Sequence, residues 1–126
     1  MGKFKGFGEN KKENKKRIQV QYLTEKDGDD YQTALDAKRI FYEGFNNVQL
    51  VKLIFPNNGY LIGAVHVHLG KTDTKLHAGA RWVKKHNIDS YMKGDGVWDM
   101  PQYLIDKFCG DVHEKSKNAQ LIIVNS

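Results

Sequence analysis

The stretch VQLVKLIFPNNGYLIGAVHVHLG, residues 48–70, decides the fold. VQLVKLIF (48–55) reads as a β-strand, PNNG (56–59) as a turn of the kind that joins antiparallel strands, and YLIGAVHVHLG (60–70) as the next strand. The second strand is almost wholly apolar until His66, which predicts a central place in a sheet. Upstream, RIQVQYLT (17–24) alternates, with Ile18, Val20 and Tyr22 on one face, and predicts an opening strand. EKDGDD (25–30) is a turn in which Asp29 or Asp30 is placed to cap a helix over YQTALDAKRIFYEGF (31–45). Ala34, Ala37, Phe41 and Phe45 give that helix its apolar stripe, and Gly44 or Asn46-Asn47 ends it.

Downstream, TDTKLHAGARWVKKH (72–86) reads as a second helix with Thr72 or Asp73 near its cap, and IDSYM (88–92) as a short strand. KGDG (93–96) reads as a loop and MPQYLIDKF (100–108) as a short helix with Pro101 in its first turn. AQLIIVNS (119–126) reads as a closing strand. The order β-α-β-β-α-β-loop-α-β predicts one α+β domain over 17–126, a mainly antiparallel sheet flanked by helices in a ferredoxin-like or Rep-like arrangement.

Residues 1–16 read as a disordered basic arm, with only Phe4 and Phe7 to bury. Residues 1–17 carry seven Lys or Arg and two Glu, while the remaining 109 residues hold thirteen basic and thirteen acidic side chains. The net charge of +5 therefore sits on the arm, where Lys11, Lys12, Lys15, Lys16 and Arg17 would attract a polyanion. No apolar run is long enough to span a bilayer, and no signal-peptide core is present, so neither a membrane nor export is expected. The single cysteine, Cys109, allows no disulfide within the chain and points to an intracellular, reducing home.

The chemistry-bearing residues are His66 and His68. Residues i and i+2 of a strand share a face, so the two imidazoles point the same way with Cα atoms roughly 6.8 Å apart. That spacing lets both reach one cation at about 2.1 Å from each nitrogen, or leaves them as two polar residues on the outer face of a sheet. Later, Tyr103 and Lys107 are four apart and share a helix face. A neighbouring ammonium and a divalent ion would favour the phenolate needed for attack on a phosphate; otherwise the tyrosine is an aromatic packed at a helix edge.

The order of these features resembles the HUH endonuclease domain of rolling-circle replication initiators, the Rep proteins of small single-stranded-DNA viruses and plasmids. QYLT closes the first strand, HVH lies on the third, and MKGDGVWDMPQYLIDK leads through a glycine-containing loop to Tyr-x-x-x-Lys. The resemblance spans residues 17–108. It implies that His66 and His68 bind Mg²⁺ or Mn²⁺, and that Tyr103 attacks single-stranded DNA and becomes linked to the new 5′ end. It further implies that Lys107 assists the transition state or positions the tyrosine. Where the family often places a third ligand, Glu or His, this sequence has Gln49, with Asn57 and Asn58 in the turn.

Trp98, after GDG, is the better candidate for stacking a base, whereas Trp82 is expected in the core. Lys93, with Arg81, Lys84 and Lys85, is placed to meet phosphates. The reading from a different class is a non-catalytic α+β module of a virus or mobile element that binds nucleic acid or a host protein. A protein-interaction domain without nucleic acid is the third.

Overall fold

The computed structural model describes residues 17–88 and 98–125, with side chains as far as Lys115. The arm residues Lys11, Lys12, Lys15 and Lys16, the loop residue Lys93 and most of the strand expected at 88–92 lie outside the described residues. Strands β1 (Gln19–Tyr22), β2 (Val48–Ile54), β3 (Tyr60–Leu69) and β4 (Leu76–His86) form an antiparallel sheet in the order β1-β2-β3-β4. Helix α1 (Asp29–Phe41) joins β1 to β2, and α2 (Gln102–Asn125) follows the sheet. The protein is an α+β fold, a sheet flanked by helices. Its connectivity is simpler than the ferredoxin-like split βαβ, since every strand pairs with its neighbour in sequence.

Two elements differ from the sequence reading. Residues 76–86 are a strand, not a helix: Leu76, Ala78, Ala80 and Trp82 recur every second residue and pack onto the core cluster. Residues 119–125 continue α2 instead of forming a closing strand. Pro101 precedes α2 rather than lying within it, and its carbonyl accepts from the N–H groups of Leu104 and Ile105 at 3.0 and 3.3 Å.

The sheet has a core on each face. On one, Val51, Leu53, Leu61, Val65, Val67 and Trp82 pack with Leu104, Phe108 and Val112 of α2. On the other, Leu23, Ala34 and Ile62 form a smaller cluster with Tyr31, Leu50 and Tyr60 beneath α1. A half-buried ion pair, Lys52 Nζ to Asp30 at 3.0 Å, fastens α1 to this face. Gly28, at φ +60°, stands at the N-cap, a left-handed backbone that glycine adopts without cost. Asp29 and Asp30 occupy the first turn, where a carboxylate suits the positive end of the helix dipole.

Helix α1 is thirteen residues long and therefore about 20 Å, too short to cover the whole of β3. Leu61–Val65 are buried, His66 is half-buried and His68 is exposed. The expected central strand is thus central, and its C-terminal end projects beyond the helix.

Candidate functional site

His66 and His68 do share a face. They lie on the α1 side of β3, where α1 gives out, with rings stacked 5.3 Å apart between centroids. The chain leaving α1 brings Tyr42 and Phe45 against His66, at 5.3 and 4.9 Å between centroids. On β4, His77 stands directly opposite His68, its ring stacked at 6.0 Å. The result is a continuous row of rings, Tyr42 and Phe45, then His66, His68 and His77. Phe45 is 52% exposed, and the neighbouring Phe41 carries the Arg81 guanidinium 5.0 Å from its ring centre.

The turn between β3 and β4 holds the last ring in place. The Asp73 carboxylate accepts from His77 Nε2 at 3.0 and 3.1 Å and from the Lys75 N–H at 3.1 Å. The imidazole and that backbone bond hold the Asp73 carboxyl below the usual carboxylate range. Thr74 adopts φ 55°, and the Gly70 N–H closes the turn onto the Lys75 carbonyl at 2.7 Å. A Cβ on residue 70 would run into Asp73 Oδ1 and come within 2.6 Å of His77 Nε2, so glycine leaves the room for that pair. His68 Nδ1 lies 3.2 Å from the Leu69 carbonyl, which can only accept; Nδ1 therefore carries the proton. Partial burial, then the neighbouring His68, lowers the pKa of His66 and favours its neutral form.

Tyr103 and Lys107 are elsewhere. Both lie on the side of α2 nearest β1, on the opposite face of the sheet from the histidines. The Tyr103 hydroxyl accepts the Ile18 N–H at 3.0 Å, and its ring packs against the α2-side core. Arg17 stacks over that ring at 4.6 Å instead of standing free for a phosphate. Lys107 pairs with Asp111 at 3.5 Å. Ile18 precedes the Gln19–Ile54 pair, whereas His66 pairs with Val48, six residues further along β2, about 20 Å at roughly 3.3 Å per residue. The phenol, the ammonium and the imidazoles therefore do not form one centre.

The oxygen-preferring cations also fit poorly. Mg²⁺ requires carboxylate or other oxygen ligands. Gln49 points into the α2-side layer with Val51 and Leu53, and the nearby carboxylate, Asp73, is already bonded to His77 and Lys75. No group of three or more His, Cys, Asp or Glu side chains converges on a common point among the described residues.

Trp98 is half-buried, with its ring 5.6 Å from Phe55 and 6.2 Å from Trp82, so it joins the core periphery rather than offering an open platform. Trp82 is buried, as expected. Arg81, Lys84 and Lys85 are exposed on β4. The sequence reading missed Tyr42, Phe45, Asp73 and His77. The signal for His77 was the period-two apolar pattern of residues 76–82, which marks a strand and puts His77 on the face away from Leu76 and Ala78.

Fold and site together define a small α+β domain with an open row of aromatic and imidazole rings at one end of its sheet. No protein-family model, no curated protein and no solved structure matches the chain. Among the described residues no helix is long and apolar enough to cross a membrane.

Proposed function

We propose that the protein is a non-catalytic nucleic-acid-binding module that grips a single strand on the ring row, with the basic arm adding electrostatic affinity. The observation that carries this reading is the unbroken series Tyr42/Phe45–His66–His68–His77, each ring 4.9–6.0 Å from the next. Aromatic and imidazole rings stack with unpaired bases irrespective of sequence, at about 1–3 kcal/mol per base, and here a base stacks at the ends of the row, since neighbouring imidazoles within it cover one another's faces. Arg81 stands beside the row, Lys71 and Lys75 lie in the adjoining turn, and Lys11, Lys12, Lys15 and Lys16 precede the fold. Phosphate contacts from such side chains supply sequence-independent affinity. An intracellular site of action accords with the lone, half-buried Cys109.

Nicking through Tyr103 is not part of this proposal, because it needs the phenol beside the histidine pair. The test is fluorescence anisotropy with labelled single-stranded DNA, single-stranded RNA and duplex at several salt concentrations. Single strands should bind more tightly than duplex, and Phe45→Ala combined with His68→Ala should weaken binding at least tenfold. Binding that survives this double substitution, or absence of binding to every probe at low salt, refutes the reading and leaves a protein-interaction domain.

A further inference from the structure

We propose that the α1 side of β4 is a track for a single-stranded nucleic acid, with His86, stacked on Tyr60, as a second base platform and Arg81 and Lys84 as phosphate contacts between it and the ring row. The track rests on single-strand binding by the ring row and adds a separate site at the other end of the sheet.

A bulge in β4 aligns these side chains. Successive residues of a strand face opposite ways, and Trp82 packs into the α2-side core. With strict alternation Lys84 and His86 would share the side of Trp82. The register shift at Ile62/Gly63 makes Val83 an extra residue between the Gly63–Trp82 and Ile62–Lys84 pairs. A bulge re-aims the side chains that follow it, so Lys84 and His86 join His77 and Arg81 on the α1 side. Gly63 permits the close approach of the strands there, since a Cβ would collide with the Arg81 carbonyl.

The far end of the sheet repeats the near one. His86 is the cross-strand partner of Tyr60, with ring centroids 5.0 Å apart and planes inclined by 18°, as His77 is the stacked partner of His68. Asn87 Nδ2 donates to His86 Nε2 at 3.1 Å and steadies the ring. Lys52 and Lys84 lie 4.5 and 5.9 Å from the Tyr60 ring centre. Among the described residues β4 pairs with β3 alone, so each imidazole ends its row and leaves the ring face turned away from β3 for a base. The two platforms are eight residues apart measured along β3, from Tyr60 to His68, which is about 27 Å at roughly 3.4 Å per residue. A stacked strand, at about 3.4 Å per nucleotide, spans that distance with about eight nucleotides, and an extended one with fewer.

The charge between the platforms suits a polyanion. His77, Arg81, Lys84 and His86 are all exposed, and residues 76–86 contain no Asp or Glu. Arg81 is seated on the Phe41 ring. Asp30 and Asp73, towards the two ends of this face, are bonded to Lys52 and His77. Cations alone would serve an acidic polypeptide equally well; a flat ring at each end of the cationic line favours bases joined by phosphates.

The experiment is fluorescence anisotropy of the full chain with oligothymidylates of roughly four and twelve nucleotides, lengths that fail to reach and that reach both platforms. The longer probe should bind at least tenfold more tightly. His86→Ala combined with Lys84→Gln should lower affinity for the longer probe at least fivefold and bring the two probes closer together. Lys84→Glu alone should weaken the longer probe more than Lys85→Glu, which changes the same charge on the opposite face of β4. Circular dichroism should show each variant folded. Equal affinity for the two lengths overturns the track, as do equal losses in Lys84→Glu and Lys85→Glu, or displacement of the longer probe by polyglutamate as readily as by unlabelled oligothymidylate. If the track fails while Phe45→Ala with His68→Ala still weakens the short probe, binding by the ring row stands; absence of binding to both probes overturns the two together.

Discussion

The Tyr103 hydroxyl accepts the backbone N–H of Ile18 at 3.0 Å, a contact between residues 85 apart in sequence. It ties the first turns of α2 to the entry of β1, an edge strand that among the described residues pairs with β2 alone. A phenol used in this way has a structural duty, and the sheet separates it from the histidines.

Tyr103→Phe should therefore act on stability. Loss of one partly buried hydrogen bond to a backbone N–H should cost about 1 kcal/mol in urea denaturation. Affinity for single-stranded DNA should not change. Incubation of the wild type with labelled single-stranded DNA and Mn²⁺ should give no covalent adduct; an adduct that disappears in Tyr103→Phe would restore the nicking reading.

The β3–β4 ladder depends on a glycine. Gly63 sits at the register shift opposite Trp82, where a Cβ would collide with the Arg81 carbonyl and lie 2.8 Å from Trp82 Cα. Backbone cannot retreat as a side chain can, so Gly63→Ala should destabilise by about 1–3 kcal/mol or more. Gly79, opposite His66, has open space at its Cβ position. Gly79→Ala should be neutral or mildly stabilising, by about 0.5 kcal/mol. Equal losses in the two variants would contradict this register.

Alkaline pH should unlock α2 from β1. The Tyr22 hydroxyl donates to Asp111, and burial, followed by that bond and the carboxylate's charge, raises its pKa above the tyrosine value of 10.0. The folded chain thus holds this proton where the unfolded chain releases it. The associated stability is fully present below pH 10 and declines as pH rises through the folded pKa. Wild type should lose melting temperature above pH 10 faster than Tyr22→Phe, which has no proton to release. Parallel pH profiles for the two proteins would show that Tyr22 does not govern this loss.

The basic arm should control salt dependence more than specificity. Removing residues 1–16 deletes six lysines. If these meet phosphates, each contact contributes about 0.7 to the slope of log affinity against log salt for a single strand. The truncated chain should bind more weakly and with a shallower slope, while keeping its preference for single strands and its response to Phe45→Ala. A slope unchanged by truncation would assign the electrostatic term to the folded body.

The amino-acid order alone determined the hairpin at 48–70, the helix that became Asp29–Phe41, the α+β class, the buried Trp82 and the common face of His66 and His68. These follow from local rules: alternation, helical spacing and turn chemistry act between residues close in sequence. Tertiary structure decided the rest. Residues 76–86 hold Ala, Lys and Arg, which suit helices, yet they pair along β3 because Leu76, Ala78, Ala80 and Trp82 gain burial only as a strand. His77 became visible as a neighbour of His68 only through that pairing. The separation of Tyr103 from the histidines arose in the same way, from the face on which α2 buries Leu104, Phe108 and Val112. A motif records the order of residues along the chain, while the side of a sheet on which a helix packs is set by apolar contacts between residues far apart in it.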